Sequence, residues 1–199
     1  MFDEISGLLL AAGESRRMGQ PKLVLPWGTT TVLGQAVRTF AAAGLPEILV
    51  VTGGARAEVE AKIAELAGGS PVRAVFNRDH ASGGMLSSIQ CGLRALGSQC
   101  HAALIGLGDQ PQVRVETVRS ICEAFLQGSQ LLVVPSCDGR RGHPWLVARP
   151  LWNEILALPA AATARQFIAA HTGEVEYVPA DASILQDLDT PEDYAARRP

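Results

Sequence analysis

Between positions 8 and 22 the sequence reads Leu8-Leu9-Leu10-Ala11-Ala12-Gly13-Glu14-Ser15-Arg16-Arg17-Met18-Gly19-Gln20-Pro21-Lys22. An apolar run stops in small residues, and a loop follows with two glycines, two arginines and a lysine. Bare backbone N–H groups and fixed positive charge suit a polyphosphate once a strand delivers such a loop to the edge of a sheet. The spacing is not that of a Walker A loop, and the Gly-x-Gly-x-x-Gly of dinucleotide binders is absent. Taken singly, Ala11, Ala12 and Gly13 read as tight packing at a strand end, and Arg16 and Arg17 as solvated charge. The agreement of glycines, cations and strand context carries the phosphate reading.

Other polar groups fall where a parallel sheet collects ligands, beyond the carboxyl ends of its strands. Gly108-Asp109-Gln110-Pro111 closes an apolar run and sets a carboxylate at a strand end. Mg²⁺ favours one or two carboxylates plus phosphate oxygens and water, so Asp109 suits it; alone, Asp109 would read as a helix cap. Asp187-Leu188-Asp189, at strand spacing, offers two carboxylates on one side, with Asp189 as the second metal ligand and Asp187 as its rival. Either Asp189 or Thr190 would equally cap a helix opening near Pro191.

The stretch 77–93 places Gly83, Ser87 and Ser88 at a helix N-terminus, where small side chains let a base or ribose approach free N–H donors. A capped helix with a glycine-rich entry is the alternative. Gly92 inside that helix costs up to about 1 kcal/mol relative to Ala, which points to close packing against a neighbour or ligand. Arg140, Arg141 and His143 share one loop and suggest an anionic acceptor, although His143 reads equally as a core-edge residue.

The positioning elements alternate strand and helix. Strands are expected at 5–10, 47–52, Val72–Phe76, 101–107 and 130–134, and helices at 31–43, Arg56–Ala67, 85–96 and Val115–Gln127, the first capped by Thr29 or Thr30. Near-continuous apolar strands in such an order imply a mostly parallel sheet covered on both faces. After Pro135 the pattern loosens: an antiparallel strand at 144–147, short helices at 150–158 and 163–171, a strand at 175–178 and a last helix. The whole of 1–199 reads as one domain, with 1–110 mainly the nucleotide half and 111–199 the acceptor half.

A chain of 199 residues with 47% hydrophobic residues is large enough for a real core. A net charge of −3, without a basic stripe, argues against a nucleic-acid partner. No apolar run reaches the ~18 residues that span a bilayer, and the acidic start Met1-Phe2-Asp3-Glu4 is unlike a signal peptide, so no membrane partner and a cytoplasmic setting are expected. Cys91, Cys100, Cys122 and Cys137 form no Cys-x-x-Cys, and Cys100 beside His101 is a poor metal site because strand neighbours point to opposite faces. Free thiols are expected.

The pattern Leu-Ala-Ala-Gly-x-Ser-x-Arg-Met-Gly-x-x-Lys at 10–22 resembles the signature of MobA-like nucleotidyltransferases. Gly-Met-x-Ser-Ser-Ile-x-x-Gly-Leu at 84–93, Gly-His-Pro at 142–144 and Asp-Leu-Asp-Thr-Pro-Glu-Asp at 187–193 are similar to the molybdenum cofactor cytidylyltransferases within that group. The resemblance implies a three-layer α/β/α Rossmann-like nucleotidyltransferase fold, with an antiparallel element in the C-terminal half. It implies Mg²⁺-dependent transfer of CMP from CTP to the phosphate of molybdenum-bearing molybdopterin, releasing pyrophosphate, with a molybdoenzyme as a possible further partner. Arg16, Lys22 and Asp109 would be catalytic, and Mg²⁺ would sit on Asp109 and Asp189. Leu10, Ala11, Ala12, Gly13, Ser15, Arg16, Gly19, Lys22, Gly83, Ser87 and Ser88 would hold the nucleotide, and Arg140, Arg141 and His143 the acceptor. Ala12 stands where guanylyl-transferring relatives usually carry glycine, and its methyl would crowd a purine. Two alternatives remain: nucleotidyl transfer to a sugar or polyol phosphate, and a catalytically silent nucleotide-binding chaperone for a molybdoenzyme. The presence of Asp109 and Lys22 argues for chemistry.

Overall fold

Strand residues of alternating orientation sort into two cores, and that division builds the architecture. In the computed structural model, which describes residues 2–199, β1 (Ile5–Ala11) is buried along its whole length. Ile5, Leu9 and Ala11 enter one apolar cluster, while Leu8 and Leu10 enter the other. The same period-two split recurs at Ile48 and Val50 against Leu49 and Val51, as expected of a sheet covered on both faces.

The remaining elements follow in chain order. A ribbon, β2 (Pro26–Trp27) and β3 (Thr30–Thr31), leads to α1 (Val32–Ala43). Then come β4 (Ile48–Thr52), α2 (Arg56–Ala67), β5 (Val72–Phe76), α3 (Gly84–Ala95), β6 (Ala102–Leu107) and α4 (Val115–Gln127). The C-terminal part holds β7 (Leu132–Cys137), β8 (Arg140–Arg141), β9 (Trp145–Ala148), α5 (Trp152–Ala157), α6 (Ala164–Ala170), β10 (Val175–Pro179) and α7 (Pro191–Arg197). The sheet order is β10-β7-β9-β6-β1-β4-β5, with β8 beside β7. Only β9 runs antiparallel within that path, pairing with both β6 and β7. Helices α1, α2 and α4 cover one face, and α3, α5 and α6 the other.

Several boundaries differ from the sequence reading. The α1 cap is Thr31, whose hydroxyl accepts from the Gly34 N–H at 3.1 Å; Thr29 and Thr30 belong to the turn and ribbon ahead of it. The expected strand at 130–134 lies at Leu132–Cys137 because its pairing with β10 extends to Ser136. Asp187 and Asp189 lie on irregular backbone, not on a strand.

Glycines fix two close contacts. A Cβ on Gly92 would stand 2.2 Å from Leu8 Cδ1, so α3 sits against β1 only because that position is bare. The ring of Phe40 in α1 occupies the space that side chains at Gly7 and Gly106 would fill, each ideal Cβ falling 2.7 Å from it. The neighbour that Gly92 was expected to require is therefore the core of the sheet. Among the described residues no helix is long and apolar enough to cross a membrane.

Candidate active site at the carboxyl ends of the central strands

The chain passes from β1 to β4 and β5 on one side, then returns to place β6 on the other side of β1. Strand order reverses at β1, and the crevice beyond such a reversal is where open α/β sheets bind ligands. Two functional loops leave there, residues 12–22 after β1 and residues 108–114 after β6. They are tied at their roots by the Gly108 N–H donating to Leu10 O at 2.9 Å. The C-terminal segment crosses the same point, with the Leu188 N–H donating to Asp109 O at 3.3 Å.

The loop after β1 is shaped by its backbone. Ser15 adopts the left-handed region at φ 51°, and its hydroxyl accepts from the Lys22 N–H at 3.2 Å, closing the loop on itself. Met18 is buried and anchors it. An ideal Cβ on Gly13 would meet nothing within 4 Å, so the backbone there is bare toward open space. This loop, Asp109 and Asp189 line a pocket of about 390 Å³, with His80 and Ala81 among its other lining residues.

Charge is concentrated in that pocket. The Lys22 ammonium bridges Asp109 and Asp189, meeting Asp189 Oδ1 at 3.1 Å. Arg17 reaches the other Asp189 oxygen at 2.8 Å, and Arg16 pairs with Glu14 at 2.5 Å. Burial alone would lower the Lys22 pKa, but Asp109 and Asp189 outweigh it and raise the pKa above 10.5. Partial burial opposes ionisation of Asp189, yet Lys22 and Arg17 hold its pKa below the usual carboxylate value. Asp187 behaves oppositely: burial, then the neighbouring Asp109 charge, push its pKa up. Its Oδ1 accepts from Gln110 Nε2 at 2.7 Å. The two carboxylates expected on one side thus take different partners, because irregular backbone does not enforce the strand's two-residue repeat.

Asp109 caps no helix, since α4 begins after Arg114. Thr190 caps α7 in a reciprocal box with Asp193, leaving Asp189 to the pocket. Among the described residues no three His, Cys, Asp or Glu side chains are grouped to hold a metal ion. What the pocket offers is two carboxylates already joined by a cation. That donor set fits Mg²⁺, which takes few protein carboxylates and completes its shell with phosphate and water.

Of the residues expected to hold the nucleotide, Leu10, Ala11, Gly13, Ser15, Arg16 and Lys22 line the pocket; Ala12, Gly19, Gly83, Ser87 and Ser88 do not. Ala12 is buried against Gly53, where an ideal Cβ would fall 2.7 Å from the Ala12 methyl. The expected crowding of a purine by that methyl finds no support in this placement. Ser87 and Ser88 accept from Asn77 Nδ2 at 2.9 and 3.1 Å, and Asn77 Oδ1 accepts from the Asp79 N–H at 3.0 Å. These serines hold the turn before α3, which carries His80 and Ala81 to the pocket wall. Arg17 and His80 were not among the expected residues. Arg17 was legible as the second cation of a pair; His80 had no signal, because a tertiary turn positions it.

The expected acceptor residues also stand outside the pocket. Arg140 and Arg141 are exposed on β8, with Arg141 over the Tyr177 ring at 5.5 Å. Burial pushes the His143 pKa down to about 4, so its imidazole is uncharged at neutral pH and offers no cation to an anion. Its main-chain N–H donates to Ile184 O at 3.1 Å. All four cysteines are free thiols, and burial pushes Cys122 up to about 12.

Residues 7–175 match the family described as the MobA-like NTP transferase domain. The chain is 30% identical to the molybdenum cofactor cytidylyltransferase of Escherichia coli (strain K12), across 96% of this chain and 93% of that protein. It is 33% identical to the nicotine blue oxidoreductase of Paenarthrobacter nicotinovorans, across 94% and 93%. The crystal structure of Rv0371c from Mycobacterium tuberculosis H37Rv superposes with a TM-score of 0.83 at 29% identity, covering 98% of this chain and 96% of that one. A complex of Rv0371c with manganese gives 0.78 at 27% identity, covering 97% of each. The chain belongs to the MobA-like NTP transferase family, and its fold is that of its nucleotidyltransferase neighbours.

Proposed function

We propose that this nucleotidyltransferase moves CMP from CTP to the phosphate of molybdenum-bearing molybdopterin and releases pyrophosphate. The observation that carries the reading is the meeting of Lys22, Asp109 and Asp189 in a pocket beside the bare Gly13 backbone. Likeness to the E. coli cytidylyltransferase along nearly the whole chain favours CTP and the pterin acceptor.

The acceptor phosphate oxygen attacks the α-phosphorus in line. One P–O bond forms, the bond to the β-phosphate bridge breaks, and its electron pair leaves with pyrophosphate. No covalent enzyme intermediate is needed, so the residues act by position and charge. Lys22, with Arg16, neutralises charge growing on the α-phosphate and on the leaving group. The Gly13 backbone and the turned Ser15 hold the triphosphate against that loop. Asp109 and Asp189 are the carboxylates that would hold Mg²⁺, which when bound neutralises and orients the phosphates. A divalent ion at this site is in keeping with the manganese complex of Rv0371c. The 1–110 half supplies the nucleotide loop and Asp109, and the 111–199 half supplies Asp189 and the acceptor surface.

The test is a product assay with purified protein, Mg²⁺, each NTP in turn and molybdenum-loaded molybdopterin. A cytosine dinucleotide product is expected, with CTP favoured over GTP by at least about tenfold, or 1.4 kcal/mol. Sugar phosphates, polyol phosphates and nicotine blue should give no turnover. Preference for GTP would sink the nucleotide assignment, and turnover of a sugar phosphate but not the pterin would sink the acceptor. Nucleotide binding without any turnover would favour the chaperone alternative.

A further inference from the structure

Asp109 and Asp189 already share a cation, and it belongs to the protein. Lys22 touches both carboxylates with a side chain only 13% exposed, and Arg17 takes the remaining Asp189 oxygen. We propose that Lys22, assisted by Arg17, is the resident occupant of the metal position. A divalent ion then enters only together with a polyphosphate that draws these cations away.

The argument rests on charge and reach. A divalent ion bound to Asp109 and Asp189 while Lys22 stayed in place would stand beside an ammonium held by the same oxygens, and like charges at that separation repel strongly in a part-buried site. Lys22 must therefore leave. The other pocket residues offer it no equivalent anion, since Asp109 and Asp189 are the two it already uses and Glu14 is taken by Arg16. A polyphosphate lying along the Gly13–Arg17 loop supplies that anion. Lysine suits the exchange, being a compact charge on a flexible four-carbon stem. The ammonium passes from carboxylate to phosphate while the carboxylates pass from ammonium to metal, and neither charge is left buried alone. Arg17, 69% exposed, can leave Asp189 at little cost, so it is the weaker half of the clamp.

The inference relies on the reading of Asp109 and Asp189 as metal carboxylates, but its test needs no turnover. Mn²⁺ alone is titrated into the nucleotide-free full chain, and free Mn²⁺ is followed by electron paramagnetic resonance. Wild type should bind weakly, Lys22→Met at least about tenfold more tightly, and Arg17→Gln roughly threefold more tightly, because Arg17 is the more exposed cation and touches only Asp189. The double variant Lys22→Met with Asp109→Asn should fall back to the wild-type level or below, locating the gained ion on Asp109. Lys22→Met binding Mn²⁺ no better than wild type overturns the proposal, as does a gain that survives loss of Asp109. Should Lys22→Met fail to fold by circular dichroism, an Arg17→Gln variant with no gain overturns it on its own. A chain that passes this test yet prefers another NTP, or another acceptor, keeps the exchange and loses only the substrate assignment.

Discussion

Two loops of this molecule carry adjacent arginines, Arg16-Arg17 after β1 and Arg140-Arg141 in β8, and the fold uses them differently. The first pair stands at the reversal of strand order, where Arg17 meets Asp189 across 172 positions of sequence and Arg16 meets Glu14. The second pair lies in a two-residue strand at the outer part of the sheet, exposed, with Arg141 lying over Tyr177. Equal charge density in sequence therefore says little about a site. What separates the loops is whether the topology brings opposite charge and bare backbone to the same place. The loop after β1 has both; β8 has an aromatic face and open solvent.

The sharpest way to break this contrast is at Asp109. Asp109→Asn keeps the side-chain shape and removes the charge that faces Lys22. Turnover should fall by at least about 10³-fold, some 4 kcal/mol in the barrier. The thermal midpoint should move little, because Asp109 caps no helix and lies at the rim of the pocket, not in either apolar cluster. Steady-state assays beside thermal melts read both halves. Wild-type activity in the variant would mean that the nucleotide loop is no more a reaction centre than β8.

The same contrast explains what the sequence disclosed. Residues 10–22 and 108–111 were readable because local pattern and position agree: an apolar strand, then small residues, then charge, at the carboxyl end of a parallel strand. Asp189 was readable as a candidate but its partners were not, since pairing with Lys22 depends on how residues 181–190 cross the sheet. The Asn77 partner of Ser87 and Ser88 was not readable, because a hydroxyl at a helix start serves a ligand or a neighbouring side chain with equal chemistry, and only tertiary placement shows the neighbour. The ribbon β2–β3 escaped because two-residue strands leave no period. Ala12 shows the limit most plainly: its identity was informative of family, while its methyl faces Gly53 and not the pocket.

A second prediction sharpens the acceptor side of the comparison. His143 is held neutral by burial, its pKa moved from 6.5 to about 4. The unfolded chain takes up this proton first as the pH falls. The native state is therefore unpenalised above pH 6.5 and loses stability progressively between pH 6.5 and 4. At about 1.4 kcal/mol for each tenfold change in proton affinity, the loss between pH 7 and 5 is roughly 2 kcal/mol. Urea unfolding at the two pH values should show that drop in wild type and a clearly smaller one in His143→Gln. Equal drops would mean that the imidazole is free to protonate in the native state, and would return it to the list of cations open to an acceptor.

The smallest effect is expected at β8 itself. Arg140 and Arg141 are exposed, so their attraction for an anionic acceptor acts through water and is screened by salt. Replacing either by Ala should raise the acceptor KM by only about two- to fivefold, within the ~1 kcal/mol that exposed charge interactions supply. The effect should shrink further at high ionic strength, and kcat and the KM for CTP should stay unchanged, because no part of β8 lines the pocket around Lys22. Arg141→Ala also frees the Tyr177 face, so a fall in KM for that variant alone would point to the ring as a stacking surface that the guanidinium covers. A loss of a hundredfold or more at either arginine, insensitive to salt, would mean that β8 closes over the acceptor as a desolvated phosphate clamp. The two arginine pairs would then differ only in when they are assembled, one standing ready in the free protein and the other formed by the substrate it binds.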